Sequence, residues 1–242
     1  ITSVCNMTHR GAVDADMKTG DGSGILSQIP RPLFAKAAAQ FGYSGLSDDL
    51  AVGVFFLPGD DTAGSSQIKT FVESTLAERN IPFIGWREAP VNPDELGKLA
   101  QDTQPEILHL LASKPNDWDG DHFERQLFLV RREIEKEFED VADFYIPTLS
   151  GRLISYKGLA MPATLRAFYS DLQDSDFQTG ISLYHQRFST NTFPAWPLGQ
   201  PFRMMCHNGE INTVRGNRNW MASREEFFES DIWGGDVDLL KN

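Results

Sequence analysis

Apolar residues along the chain follow two rhythms, and their alternation lays out a set of elements. Residues 51–57 form an unbroken apolar run, AVGVFFL, stopped by Pro58 and Gly59. That length and those stops predict a strand buried on both faces. Over 65–79, Ile68, Phe71, Val72 and Leu76 return at helical spacing. The clearest helix starts near Asp121, where Phe123, Leu127, Val130, Ile134 and Phe138 make one apolar face. The opposite face, with Arg131, Arg132, Glu135 and Glu137, is expected to be solvated. Asp121 and Glu124 have the spacing of a capping box, with Asp in place of Ser or Thr.

Shorter segments fill the rest. A short helix end and a turn open the chain, and Pro32 in a first turn starts a helix that runs to about residue 41. Strands are predicted over 24–29, 81–88, 106–112, 143–148, 153–156, 181–187 and 202–206. Helical pattern covers 93–100 and returns over 214–228. The middle of the chain reads as a βαβ-like alternation. Interleaved strands and helices favour an α+β or layered α/β protein over an all-α or all-β one.

Composition narrows the function classes. At 242 residues the chain is one large domain or two small ones. Its 22 basic residues against 34 acidic ones give a net charge of -12, which argues against nucleic-acid and anionic-membrane partners. A hydrophobic share of 40% is too high for a disordered chain. No apolar stretch approaches the roughly 20 residues of a membrane span, and the opening ITSVCNMTHR lacks the apolar core of a signal peptide. Ile1 and the closing KN read as cuts through a longer chain. Cys5 and Cys206 exclude a disulfide framework, offer no CxxC metal pair, and read as small buried hydrophobes. His9, His185 and His207 fall at no metal spacing, so no metal is expected.

Three polar stretches carry candidate chemistry: HRGAVDADMKTGDGSG (9–24), YHQRFSTNTFP (184–194) and CHNGEIN (206–212). Gly20, Gly22 and Gly24 precede a strand rather than bridge a strand and a helix. They therefore read as a structural turn beneath a site, not as a phosphate loop. Arg187 ends a predicted strand beside Ser189 and Thr190, where a guanidinium suits either a substrate carboxylate or an internal ion pair. Asn208-Gly209 is a strong hairpin signal. The same pair can also converge a side-chain amide and a backbone N–H on a developing oxyanion.

Together and in this order, HRGAVDADMKTGDGSGIL, HQRFSTNTFPAW and HNGEINTVRGN resemble the glutamine amidotransferase domain of the glutamate synthase family (large subunit). That domain is a class II, N-terminal-nucleophile amidotransferase. The resemblance covers essentially all of residues 1–242. It implies an α+β fold of four layers, α-β-β-α, around two stacked sheets, and hydrolysis of L-glutamine to glutamate and ammonia. By motif, Asn208 and Gly209 match the oxyanion hole. Arg187 matches the arginine that grips the glutamine α-carboxylate, and Thr190 matches a hydroxyl that contacts substrate. The 9–12 and 20–24 segments resemble turns that frame the site.

The departures shape the expectation. The family's nucleophile is an N-terminal Cys whose α-amine is the general base. This chain starts with Ile1, Cys5 is internal, and no residue matches the acid that binds the substrate α-amino group. Residues 1–242 are therefore expected to be a partial amidotransferase domain, truncated at both ends and inactive as written. In the complete protein the resemblance implies a synthase domain on the same polypeptide, carrying FMN and an iron–sulfur cluster and consuming 2-oxoglutarate. No cofactor site is expected in these residues, since two cysteines cannot hold a cluster. A small reductase subunit is a further candidate partner, and the compartment is the cytoplasm or a plastid. Three competing readings are a catalytically silent glutamine-binding or scaffold relative, a Thr2 nucleophile exposed by loss of Ile1, and a standalone amidase or other amidotransferase.

Overall fold

The computed structural model describes residues 2–6, 18–59, 61–186, 193–203, 205–207, 209 and 212–241. In chain order the elements are α1 (Thr2–Cys5), β1 (Thr19–Gln28), α2 (Arg31–Ala39), β2 (Leu50–Leu57), α3 (Thr62–Glu78), β3 (Phe83–Glu88) and α4 (Lys98–Asp102). They continue with β4 (Glu106–Ser113), α5 (Gly120–Glu137), β5 (Tyr145–Ser150), β6 (Leu153–Ala160), α6 (Pro162–Phe168), β7 (Ser182–His185) and α7 (Val214–Glu225). The strands form a four-stranded sheet, β3-β4-β2-β5, and a three-stranded sheet, β6-β1-β7. Every pairing described is antiparallel. The fold is thus α+β, and the βαβ-like alternation expected in the middle of the chain makes no parallel pair.

β2 shows why the sheets stack. All eight of its residues are buried. Leu50, Val52, Val54 and Phe56 point into one core with Ile25 of β1, Ile154 and Tyr156 of β6, Phe34 of α2 and Phe168 of α6. Ala51, Phe55 and Leu57 point the other way, onto Ile68, Val72 and Leu76 of α3 and Leu127, Val130 and Ile134 of α5. A helix pair, the four-stranded sheet and the three-stranded sheet therefore lie in that order, as the expected sandwich requires. Each large apolar side chain buried this way contributes about 1.5–3 kcal/mol.

Several expectations are corrected. The α5 cap is Asp119, whose carboxylate accepts from the His122 N–H, and not Asp121. Glu124 instead reaches the β5–β6 turn, accepting from the Ser150 hydroxyl at 2.9 Å and from the Gly151 N–H. Arg31 closes the same turn from the other side, donating to the carbonyls of Gly151, Leu50 and Ser47. The face of α5 expected to be solvated buries Arg131 and half-buries Arg132 and Glu135. The helix expected over 93–100 is a 3-10 turn at Pro93–Glu95 followed by α4. The described residues of 202–206 form no strand, because Phe202 and Met205 exchange both backbone hydrogen bonds at 2.7 Å and close a turn. β1 begins at Thr19, so the glycines lie within a strand, irregular between Thr19 and Ser23, rather than in a turn before it. The segments 9–12 and most of HRGAVDADMKTGDGSG fall outside the described residues.

A buried polar cluster ties the two sheets together. Arg87 of β3 donates two parallel hydrogen bonds to Asp171, at 2.8 and 2.6 Å, and Tyr156 of β6 donates a third at 2.9 Å. Asp171 sits in a 3-10 turn, Ser170–Gln173. Burial alone would raise its carboxyl, but the hydrogen bonds and charge of Arg87 outweigh it and hold it below the usual carboxylate range. Arg87 also donates to His109 Nδ1 of β4 at 2.8 Å, which fixes the ring proton on Nε2. Complete burial, reinforced by the Arg87 charge, pushes the His109 pKa down to about 3.

Candidate functional site

Arg187, Thr190 and Asn208 lie outside the described residues, and Gly209 is described. The strands and turns around them show how the two motif stretches are delivered. β7 is the edge of the three-stranded sheet, with His185 opposite Gly24 of β1. It carries the chain to Gln186, which is buried and whose side-chain amide makes no hydrogen bond among the described residues. Arg187 follows directly in sequence.

The chain returns through residues 193–207, and buried groups hold this return at several points. Trp196 sits edge-on to Phe56 and packs against Phe168, and its indole N–H donates to the Ala100 carbonyl at 3.3 Å. Gly158 makes room for it, since a Cβ there would lie 2.5 Å from the indole ring. Lys157 of β6 donates from Nζ to the carbonyls of Pro197, at 2.7 Å, and Gly199, at 2.9 Å. The Gln200 carbonyl lies so close to β1 that a Cβ on Gly24 would stand 2.6 Å from it. Gly24 thus serves close backbone approach. The Gln200 side chain accepts the His207 N–H at 2.8 Å.

Charge anchors the turn beyond. Arg203, at φ 38°, pairs with Glu135 of α5, and Glu135 also takes Arg131 at 3.0 Å and Arg132 at 3.5 Å. This cluster is why the polar face of α5 is covered rather than solvated. Phe202 and Tyr145 lay their rings against Lys157 Nζ, with centroids at 5.3 and 4.4 Å. Burial and the nearby Arg203 charge together push the Lys157 pKa down to about 7.

Gly209 emerges from this framework exposed, and a Cβ there would meet no described atom within 4 Å. Residues 212–213 are a turn and Val214 opens α7, while the hairpin expected at Asn208-Gly209 falls partly outside the described residues. Neither cysteine has the features of an activated nucleophile. Both are half-buried rather than fully buried, and an internal residue has no α-amine. Burial pushes the Cys206 thiol up, away from the thiolate, and its Sγ lies 3.8 Å from the Tyr184 carbonyl. Among the described residues no three His, Cys, Asp or Glu side chains group as a metal set, and no helix is long and apolar enough to cross a membrane.

Sequence reading missed Lys157 and Gln200. The signal available was a lone cation inside the apolar strand LISYKGLA, where a charge needs a specific partner.

Comparison with known proteins adds the lineage. The family model described as glutamine amidotransferases class-II matches residues 1–242. The NADPH glutamate synthase large chain of Azospirillum brasilense is 43% identical over 235 residues, covering 96% of this chain and 16% of that protein. The ferredoxin-dependent glutamate synthase of Pyropia yezoensis is 43% identical over 241 residues, covering 97% and 15%. The NADPH glutamate synthase large chain of Bacillus subtilis is 39% identical over 240 residues, covering 98% and 16%. The chain therefore spans about a sixth of the length of these relatives. With that match running from end to end over two stacked antiparallel sheets, the chain belongs to the class-II glutamine amidotransferases.

Proposed function

We propose that residues 1–242 are part of the glutaminase domain of a glutamate synthase, where L-glutamine and water give glutamate and ammonia. The observation that carries this reading is Gly209, exposed and clear of the described residues at the end of a segment held by buried side chains. Its N–H and the amide of Asn208 would hold the oxyanion of the tetrahedral intermediate. Such a site gains its power by being fixed before charge develops. Arg187 would grip the α-carboxylate through two parallel hydrogen bonds, and Thr190 would contact the same substrate. The nucleophile is assigned to neither Cys5 nor Cys206. The ammonia would pass to a synthase domain of the same polypeptide bearing FMN and an iron–sulfur cluster, for reductive transfer to 2-oxoglutarate.

The test is peptide mass mapping of the complete natural polypeptide after exposure to a diazo-ketone glutamine analogue, together with kinetics of the Asn208→Ala variant. The expected outcome is an adduct on an N-terminal cysteine and a loss of glutamine-dependent turnover of about 10²–10³ in the variant. Activity with free ammonia should survive. An unlabelled protein without an N-terminal cysteine would leave a glutamine-site relic in its place.

A further inference from the structure

Lys157 lies in β6 with 1% of its surface exposed and has no carboxylate partner among the described residues. A cation is costly to bury, and an apolar side chain would fill the same space without that cost. What the ammonium supplies instead is a pair of donors for two carbonyls, Pro197 and Gly199, that lie in the segment leading to Asn208. Gln200, the next residue and itself buried, carries the constraint on by accepting the His207 N–H. Asn208 is the following residue in the chain.

We propose that Lys157 and Gln200 are positioning residues for glutamine hydrolysis, acting in series to set His207 and with it the Asn208–Gly209 pair. This rests on the reading of that pair as oxyanion donors. Lys157 fixes where the segment lies against β6, and Gln200 fixes how the chain leaves it. Arg203, the neighbouring cation, is spent on Glu135 and leaves both carbonyls to Lys157. A neutral amine retains two N–H groups, so the clamp survives loss of the proton and does not depend on the ammonium charge.

The experiment compares Lys157→Met, Gln200→Leu, the double variant and Asn208→Ala in the complete natural polypeptide. It measures kcat and KM for glutamine hydrolysis, with thermal unfolding as the check on folding. Either single change should lower kcat about ten- to hundredfold while KM moves by less than about threefold, because a small misplacement of a catalytic group weakens the transition state more than the bound substrate. Because the two act in series, the double variant should be within about threefold of the worse single one, where independent effects would multiply. Undiminished kcat in both single variants, beside a damaged Asn208→Ala, overturns the positioning roles and leaves the proposed function standing. A multiplicative double variant overturns the series arrangement. Undiminished kcat in Asn208→Ala overturns the oxyanion reading and this inference with it. Should Lys157→Met fail to fold, Gln200→Leu carries the test alone, and full activity there overturns the proposal.

Discussion

Arg87 and Lys157 are both cations drawn from strands into the interior, and they meet opposite partners. Arg87 faces Asp171 in a two-bond fork, with Tyr156 and His109 completing the cluster. Lys157 faces two carbonyls and two aromatic rings. The first group joins secondary-structure elements of both sheets, so its loss is felt by the fold. The second joins a strand to an irregular segment, so its loss is felt by whatever that segment presents. A buried charge with a counter-charge marks architecture here, and a buried charge on backbone acceptors marks the delivery of a site.

That contrast can be broken by stability measurements. Asp171→Ala leaves the half-buried Arg87 guanidinium without its carboxylate, and urea unfolding should show a loss of about 3 kcal/mol. A small loss would mean that the cluster is not what braces the sheets. His109 gives a pH signature of the same region. Its folded pKa of about 3 lies below the unfolded value of about 6.5, so its contribution is complete above pH 6.5 and is lost as pH falls toward 3. Unfolding at stepped pH should lose about 1.4 kcal/mol per unit from this residue, roughly 2 kcal/mol between pH 6.5 and 5. His109→Asn should remove that slope.

Lys157→Met should change the unfolding free energy at pH 7 by less than about 1.5 kcal/mol, since relief of a buried charge offsets two carbonyls left without donors. A cost as large as that of Asp171→Ala would erase the distinction between the two cations. The pH dependence has the same sign as that of His109 but lies at higher pH. The folded pKa of Lys157, about 7, lies below the unfolded lysine value, so its contribution grows as pH rises above 7. The smallest effect belongs to the surface. Arg152 pairs with Asp121 where both are exposed, and Arg152→Ala should cost under about 1 kcal/mol, diminishing further with added salt.

Much of the scaffold was legible from periodicity. The four apolar positions predicted within α5, and Phe138 just past its end, are all buried, and β2 is buried on both faces as its unbroken run requires. What escaped was set by distant partners. Arg131 looked solvated because nothing near it in sequence reveals Arg203, which arrives through Glu135 from another part of the chain. Phe202 to Cys206 is a short, mostly apolar run that reads as a strand, but Arg203 at positive φ and the Phe202–Met205 closure form a turn there. α6 is seven residues, too short to display a period. Of the candidate site, the motifs named Arg187, Thr190, Asn208 and Gly209, while the residues beneath them, Lys157 and Gln200, carry no motif of their own.

The β5–β6 hairpin has a consequence for how the molecule assembles. β5 belongs to one sheet and β6 to the other, yet only Gly151 and Arg152 separate them. Joining the layers therefore closes a very small loop, at little entropic cost, whereas β1 must find β6 across more than a hundred residues. The contact that makes this a two-layer protein is thus among its most local, and Glu124 from the adjacent helix is at hand to secure it. Kinetically, the seam between the sheets is placed to form early, with the three-stranded sheet completed on it afterwards.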